Sequence, residues 1–208
     1  MYDALFFDLD GTLVDTEALA IASGLEAFRA HGHPVEERFL HDLIGKDAPT
    51  SEAIIRAKMP GADLEAVQRD WQAGFVAAVE AGLTLKPGAA ELLSARVAPM
   101  VLVTSSGREG AHRKLKIAGI AEHFAHVVSL DDVTAAKPDP APYLLAAKLL
   151  GVDPKRCLAF EDSETGAESA HRAGCTVVQV PDILPSEGQW ADHLAPDLIA
   201  GARMAGLL

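Results

Sequence analysis

Residues 158–180 read LAFEDSETGAESAHRAGCTVVQV, and this stretch decides the fold. Leu158 to Phe160 is a short apolar run of the kind that forms a buried strand. Behind it, Gly166, Ala170 and Ala173 fall at helical spacing on one face of a helix predicted from Glu164 to Ala173. Gly174 supplies a left-handed stop, and Thr176 to Val180 is a second apolar, β-branched run. The small residues let the helix backbone lie close against a sheet. Strand, helix and strand in this order predict a parallel sheet covered on both sides.

The same alternation extends outward. Ala4 to Phe7, Met100 to Val103 and Val127 to Val128 are further strand candidates, with helical patterns between most of them. One such helix has Pro140 in its first turn, Asp139 as its cap, Tyr143 to Leu150 as its body and Gly151 as its stop. From about Thr16 to Leu85 the alternation fails, and helix follows helix. Ile21, Leu25 and Phe28 mark one amphipathic helix there, and Leu64, Val67, Trp71, Phe75 and Val79 mark another. Pro87 and Gly88 punctuate the return. The expected organisation is an α/β core of residues 1–15 and 86–208, with a Rossmann-like parallel sheet flanked by helices, and an all-helical domain inserted at 16–85.

Composition bounds the rest. A chain of 208 residues with 49% hydrophobic and 23% charged residues has the makings of an ordinary globular protein. Its net charge of −12, without a basic stripe, argues against sequence-independent nucleic-acid binding. No apolar run is long enough to span a bilayer, and the chain reaches Asp3 without a leader-like segment. Cys157 and Cys175 lie in or beside apolar runs, as buried reduced thiols do, so a cytoplasmic setting is expected.

Four segments at strand ends carry chemistry. In LFFDLDGTLVD, Leu5 to Asp15, residues two apart in an extended chain point the same way, so Asp8 and Asp10 face the space above the strand's carboxyl end. That is where ligands bind in open parallel sheets. An EF-hand loop is excluded, because glycine falls at the fourth position instead of the sixth and a strand leads in. In VLVTSSGREG, Thr104, Ser105 and Ser106 offer hydroxyls and backbone N–H groups for phosphate oxygens, or an ordinary polar cap. Lys137 in AAKPDP reads, alone, as a surface lysine. Glu161 and Asp162 read, alone, as loop charges or as metal ligands.

Taken in order, these segments resemble the four motifs of the haloacid dehalogenase superfamily, and nearly the whole chain resembles its β-phosphoglucomutase-like phosphatases, which carry a helical cap after the first motif. The resemblance implies a Mg²⁺-dependent phosphatase of small phosphorylated metabolites, with sugar or polyol monophosphates as the expected substrates. Asp8 would be nucleophile and metal ligand. Asp10 would act as acid and base and lend the metal its backbone carbonyl, and Asp162 would complete the protein ligands. Glu161 would ligate directly or orient a water. Lys137 and Ser105, with Ser106 beside it, would hold the phosphoryl group. Several acids in one cleft call for a cation, since two carboxylates ~4 Å apart repel by roughly 4 kcal/mol at an effective dielectric of ~20.

Two departures set the chain apart from the mutase branch. Ala20 stands where the mutase has a histidine, and Ala48 where it has an arginine for the second phosphate. Asp10 itself separates the chain from the dehalogenating branch, which lacks an acid there. A phosphonatase would need a cap lysine, Lys46 or Lys58, and a noncatalytic binding protein would not need the intact acid, serine and lysine set. Lys46, after Gly45, is a candidate contact for an anionic leaving group. A monomer gated by cap closure, with hinges near residues 15–16 and 85–88, completes the expectation.

Overall fold

The computed structural model describes residues 1–43 and 48–208, with only the backbone at 48 and 49. Lys46 lies outside the described residues. The chain divides into two compact units, one of Met1–Asp15 with Leu83–Leu208 and one of Thr16–Gly82.

The first unit holds six strands: β1 (Ala4–Phe7), β2 (Met100–Val103), β3 (His126–Val128), β4 (Cys157–Glu161), β5 (Thr176–Gln179) and β6 (His193–Leu194). They form one parallel sheet in the order β3-β2-β1-β4-β5-β6. Every residue of β1, β2 and β4 is buried, so these strands read as apolar runs, broken only by Glu161 at the end of β4. Alternate residues still serve different faces. Leu5, Phe7, Leu102, Leu158 and Phe160 pack on one side with Leu92, Leu93, Leu115 and Leu198. Ala4, Phe6, Val101, Val103, Cys157 and Ala159 pack on the other with Tyr143, Ala146, Ala147, Ala167 and Ala170. Phe7 and Phe160, neighbours across β1 and β4, stack with centroids 4.9 Å apart and planes within 5°.

The second unit contains α1 (Glu17–Ala30), α2 (Glu37–His41), α3 (Ala48–Lys58) and α4 (Leu64–Ala81). α1 and α4 pack together through Gly24, whose missing side chain leaves room for the Trp71 ring, while Trp71 Nε1 donates to the Ala20 carbonyl at 2.7 Å. The remaining helices, α5 (Ala89–Ala95), α6 (Arg108–Ala118), α7 (Ala141–Leu150), α8 (Glu164–Ala173) and α9 (Leu198–Met204), belong to the first unit. No described helix is long and apolar enough to cross a membrane.

The sequence expectation needs several adjustments. β6 is absent from it, β3 begins at His126, β4 runs Cys157–Glu161, β5 stops at Gln179, and α7 begins at Ala141 with Pro140 in the cap position. Asp139 still serves that helix start, since its Oδ1 accepts from the Ala141 N–H at 2.9 Å. Gly151 and Gly174 take left-handed conformations at the ends of α7 and α8, with φ of 69° and 95°. Cys157 and Cys175 are buried free thiols, and burial raises the Cys157 pKa to about 12.

Candidate active site

The strand order reverses between β1 and β4, and ligands in open α/β sheets bind beyond the carboxyl ends of the strands at such a point. Asp8 follows β1 directly, and Glu161 ends β4 with Asp162 next in the chain. The ladder continues past β1, because the Asp8 N–H donates to the Phe160 carbonyl at 3.0 Å. Sheet register therefore sets the three acids side by side. One oxygen from each of Asp8, Glu161 and Asp162 lies within 4.8 Å of the others.

Lys137 closes the cluster. Its Nζ donates to Asp8 Oδ1 at 2.7 Å, to Glu161 Oε1 at 2.6 Å and to the Val103 carbonyl at 2.9 Å, and its side chain is 5% exposed. A lysine buried so deeply must have its charge matched, and these partners match it. Burial opposes the charge, but Asp8 and Glu161 outweigh burial and raise the Lys137 pKa. Tyr143, wholly buried on α7, donates its hydroxyl to Glu161 Oε1. Lys137 and Tyr143 together fix the Glu161 carboxylate. Its second oxygen, Oε2, is buried and has no hydrogen-bond partner among the described residues.

The acids resist ionisation. Burial pushes the Asp8 carboxyl well above the usual carboxylate range, against the pull of Lys137 and with the help of the Glu161 charge. Burial and then Glu161 raise Asp162 from 3.8 to about 7. Such a cluster gains from a divalent cation, and its hard oxygen donors suit magnesium.

Two glycines make the room. Gly11, at φ 82°, lies where a Cβ would press on the Asp162 carboxylate, so both conformation and space call for glycine. Gly166 faces Glu161, and a Cβ there would collide with that carboxylate. The sequence marks Gly166 only as a close-packing residue, whereas the structure shows that the space holds a buried acid. Gly166→Ala should destabilise the fold by about 1–3 kcal/mol despite alanine's better helix propensity, because the collision outweighs it. Urea unfolding measures the change, and unaltered or raised stability would show that the Glu161 pocket is loose.

The loop after β2 supplies the other side. Ser105 is exposed, and Ser106 Oγ donates to Asp10 Oδ2 at 2.8 Å. Lys114, seven residues into α6, donates to Asp10 Oδ1 at 2.6 Å. Lys114 and Tyr143 were not among the site residues expected from sequence. The available signal for Lys114 was a cation placed between Ala111 and Leu115, the buried residues of α6. A further ion pair, Lys86 with Asp182 at 2.5 Å, stands near Gly11 and Asp162.

A family model of haloacid dehalogenase-like hydrolases matches residues 2–174. The chain is a haloacid dehalogenase-like hydrolase. It is 32% identical over 204 residues to validoxylamine A 7'-phosphate phosphatase of Streptomyces hygroscopicus subsp. limoneus, covering 95% of each chain. It is 37% identical over 180 residues to hexitol phosphatase A of Escherichia coli, covering 84% of this chain and 81% of that one. Among solved structures, CbbY from Rhodobacter sphaeroides in complex with phosphate superposes with a TM-score of 0.77 at 26% identity, over 100% of this chain and 99% of that one. As a haloacid dehalogenase-like hydrolase the chain carries its acids at the carboxyl ends of β1 and β4 and its buried lysine ahead of α7, all within the first unit.

Proposed function

We propose that this haloacid dehalogenase-like hydrolase, a phosphoric monoester hydrolase, is a Mg²⁺-dependent phosphatase of sugar or polyol monophosphates that works through an aspartyl phosphate on Asp8. The observation that carries the reading is the Asp8 carboxylate held by Lys137 at 2.7 Å within a buried cluster of acids. Relatives named as a validoxylamine A 7'-phosphate phosphatase and a hexitol phosphatase support the substrate class.

Asp8 attacks phosphorus, forming an O–P bond as the ester P–O bond breaks, which splits one hard displacement into two. Asp10 gives its proton to the departing alkoxide, then takes one from the water that hydrolyses the aspartyl phosphate. Lys137 and Ser105 offset charge on the transferring group. The residues fit a magnesium ion, since Glu161 Oε2 is a buried oxygen without a hydrogen-bond partner among the described residues and the Asp8, Glu161 and Asp162 donors are all carboxylate oxygens. Asp8, Asp162, Glu161 and the Asp10 carbonyl would hold the ion. When bound, it supplies a Lewis acid toward the phosphoryl oxygens.

Phosphate release from a panel of sugar, polyol and aryl phosphomonoesters with Mg²⁺ tests the function; no release from any of them would overturn it. Conversion of glucose 1-phosphate to its 6-phosphate, primed by a bisphosphate with little free phosphate formed, would point to a mutase. Alanine at 20 and 48 speaks against that outcome.

Removing the metal gives a second test. Asp162 has its pKa raised from 3.8 to about 7, so its contribution to stability is present below its unfolded pKa and is lost as pH rises through about 7. Metal-free protein should therefore become less stable as pH rises from about 4 to about 7, and the Tm gain from adding Mg²⁺ should grow over the same interval. A Mg²⁺ gain independent of pH would argue that the ion sits elsewhere.

A further inference from the structure

We propose that Lys114 and Ser106 are positioning residues that clamp the Asp10 carboxylate for its proton transfers, an inference that rests on the acid and base role assigned to Asp10 above. Asp10 lies in the turn beyond β1, and its two oxygens are gripped by different elements. Lys114 Nζ on α6 donates to Oδ1 at 2.6 Å, and Ser106 Oγ in the loop after β2 donates to Oδ2 at 2.8 Å. Lys114 also donates to Ser106 Oγ at 3.0 Å, so the three groups close a triangle.

The surroundings distinguish this from a surface ion pair. The Lys114 side chain is 12% exposed and that of Asp10 25%, whereas Arg113 and Glu109, paired on the same helix, are 45% and 90% exposed. Drawing a long, flexible ammonium out of water is unfavourable unless a fixed counter-charge receives it, and Asp10 receives it here. A carboxylate bonded at one oxygen can still rotate, but one bonded at both from two elements cannot. A general acid needs this, because it must stay within hydrogen-bond reach of the leaving oxygen while the P–O bond breaks, and small misplacements are costly in rate.

In the first step the proton moves from the Asp10 carboxyl to the ester oxygen as the alcohol leaves. In the second, the water oxygen joins phosphorus as the bond from phosphorus to the Asp8 oxygen breaks, and a proton of that water passes to Asp10. One water is consumed, inorganic phosphate leaves, and the Asp8 carboxylate and the Asp10 carboxyl are both restored. Lys114 and Ser106 exchange no proton with substrate.

An acid matters most when the leaving group is a poor one. The test is kcat/KM, which reports the steps through phosphoryl transfer to Asp8, for glucitol 6-phosphate and for p-nitrophenyl phosphate with Mg²⁺. Lys114→Met should lower kcat/KM on the alkyl ester by about 30-fold or more, and at least about tenfold less on the aryl ester, with KM changed less than about threefold. Ser106→Ala should show the same preference with a smaller loss, and it decides the matter if Lys114→Met fails to fold. Equal losses on both esters, a rise in KM that accounts for the loss, or no loss would overturn the clamp. Wild-type protein inactive on both esters would overturn the functional reading and the clamp with it; an active wild type with evenly affected variants would overturn the clamp alone.

Discussion

Asp8→Asn should fold as well as the parent protein and release essentially no phosphate. The amide cannot serve as nucleophile, so the proposed route to an aspartyl phosphate closes, and a loss of about 10⁴-fold or more is expected from comparable nucleophile removals. Stability should not suffer in proportion. Burial pushes the Asp8 carboxyl well above its ordinary range, which means that its charge works against the folded state. A neutral isostere relieves that strain, and Lys137 keeps Glu161 as its counter-charge at 2.6 Å. Phosphate release and a thermal melt measured on one preparation check both halves. Retention of more than a few per cent of wild-type turnover would mean that another group attacks phosphorus.

Lys137→Met reverses the pattern, costing both activity and stability. Lys137 is the shared cation of two carboxylates whose side chains are 10% and 1% exposed, and its removal leaves them buried and facing each other. Breaking a buried pair by deleting one partner costs about 3–5 kcal/mol, because an uncompensated charge remains. Activity should fall by about 10³-fold as charge on the transferring group loses its nearest fixed cation. Because the groups touch, the effects must couple: adding Asp8→Asn to Lys137→Met should recover part of the lost stability, though no activity. Chemical denaturation of the four-member cycle measures that coupling, and strict additivity would refute the shared-cation account.

Much of this was legible in the sequence because strand and helix periodicity is a local property. Ala4–Phe7, Met100–Val103 and Glu164–Ala173 have the bounds that their apolar spacing and glycine stops indicate. His193–Leu194 was not legible, since two half-exposed residues carry no period and pair only because β5 offers an edge. At the site, the acids after β1 and β4 could be read as a group, because parallel register brings successive strand ends together. Lys114 and Tyr143 could not. Lys114 meets Asp10 across 104 residues of chain, and Tyr143 meets Glu161 through the face that α7 turns toward the sheet, so their pairing depends on how helices sit on strands.

The joint between residues 15 and 84 has one more consequence. The Asp15 N–H donates to the Thr84 carbonyl at 3.0 Å, and Val14 pairs antiparallel with Leu85, so the chain leaves the first unit and re-enters it side by side. The two ends are about one strand spacing apart, which a turn of a few residues can bridge. The helical segment is thus an insertion whose two points of attachment in the first unit are already stitched together. Because closure cost grows only slowly with length, exchanging it for a longer or shorter insert would impose little entropy on the sheet, while the acids, lysine and glycines of the first unit stay fixed.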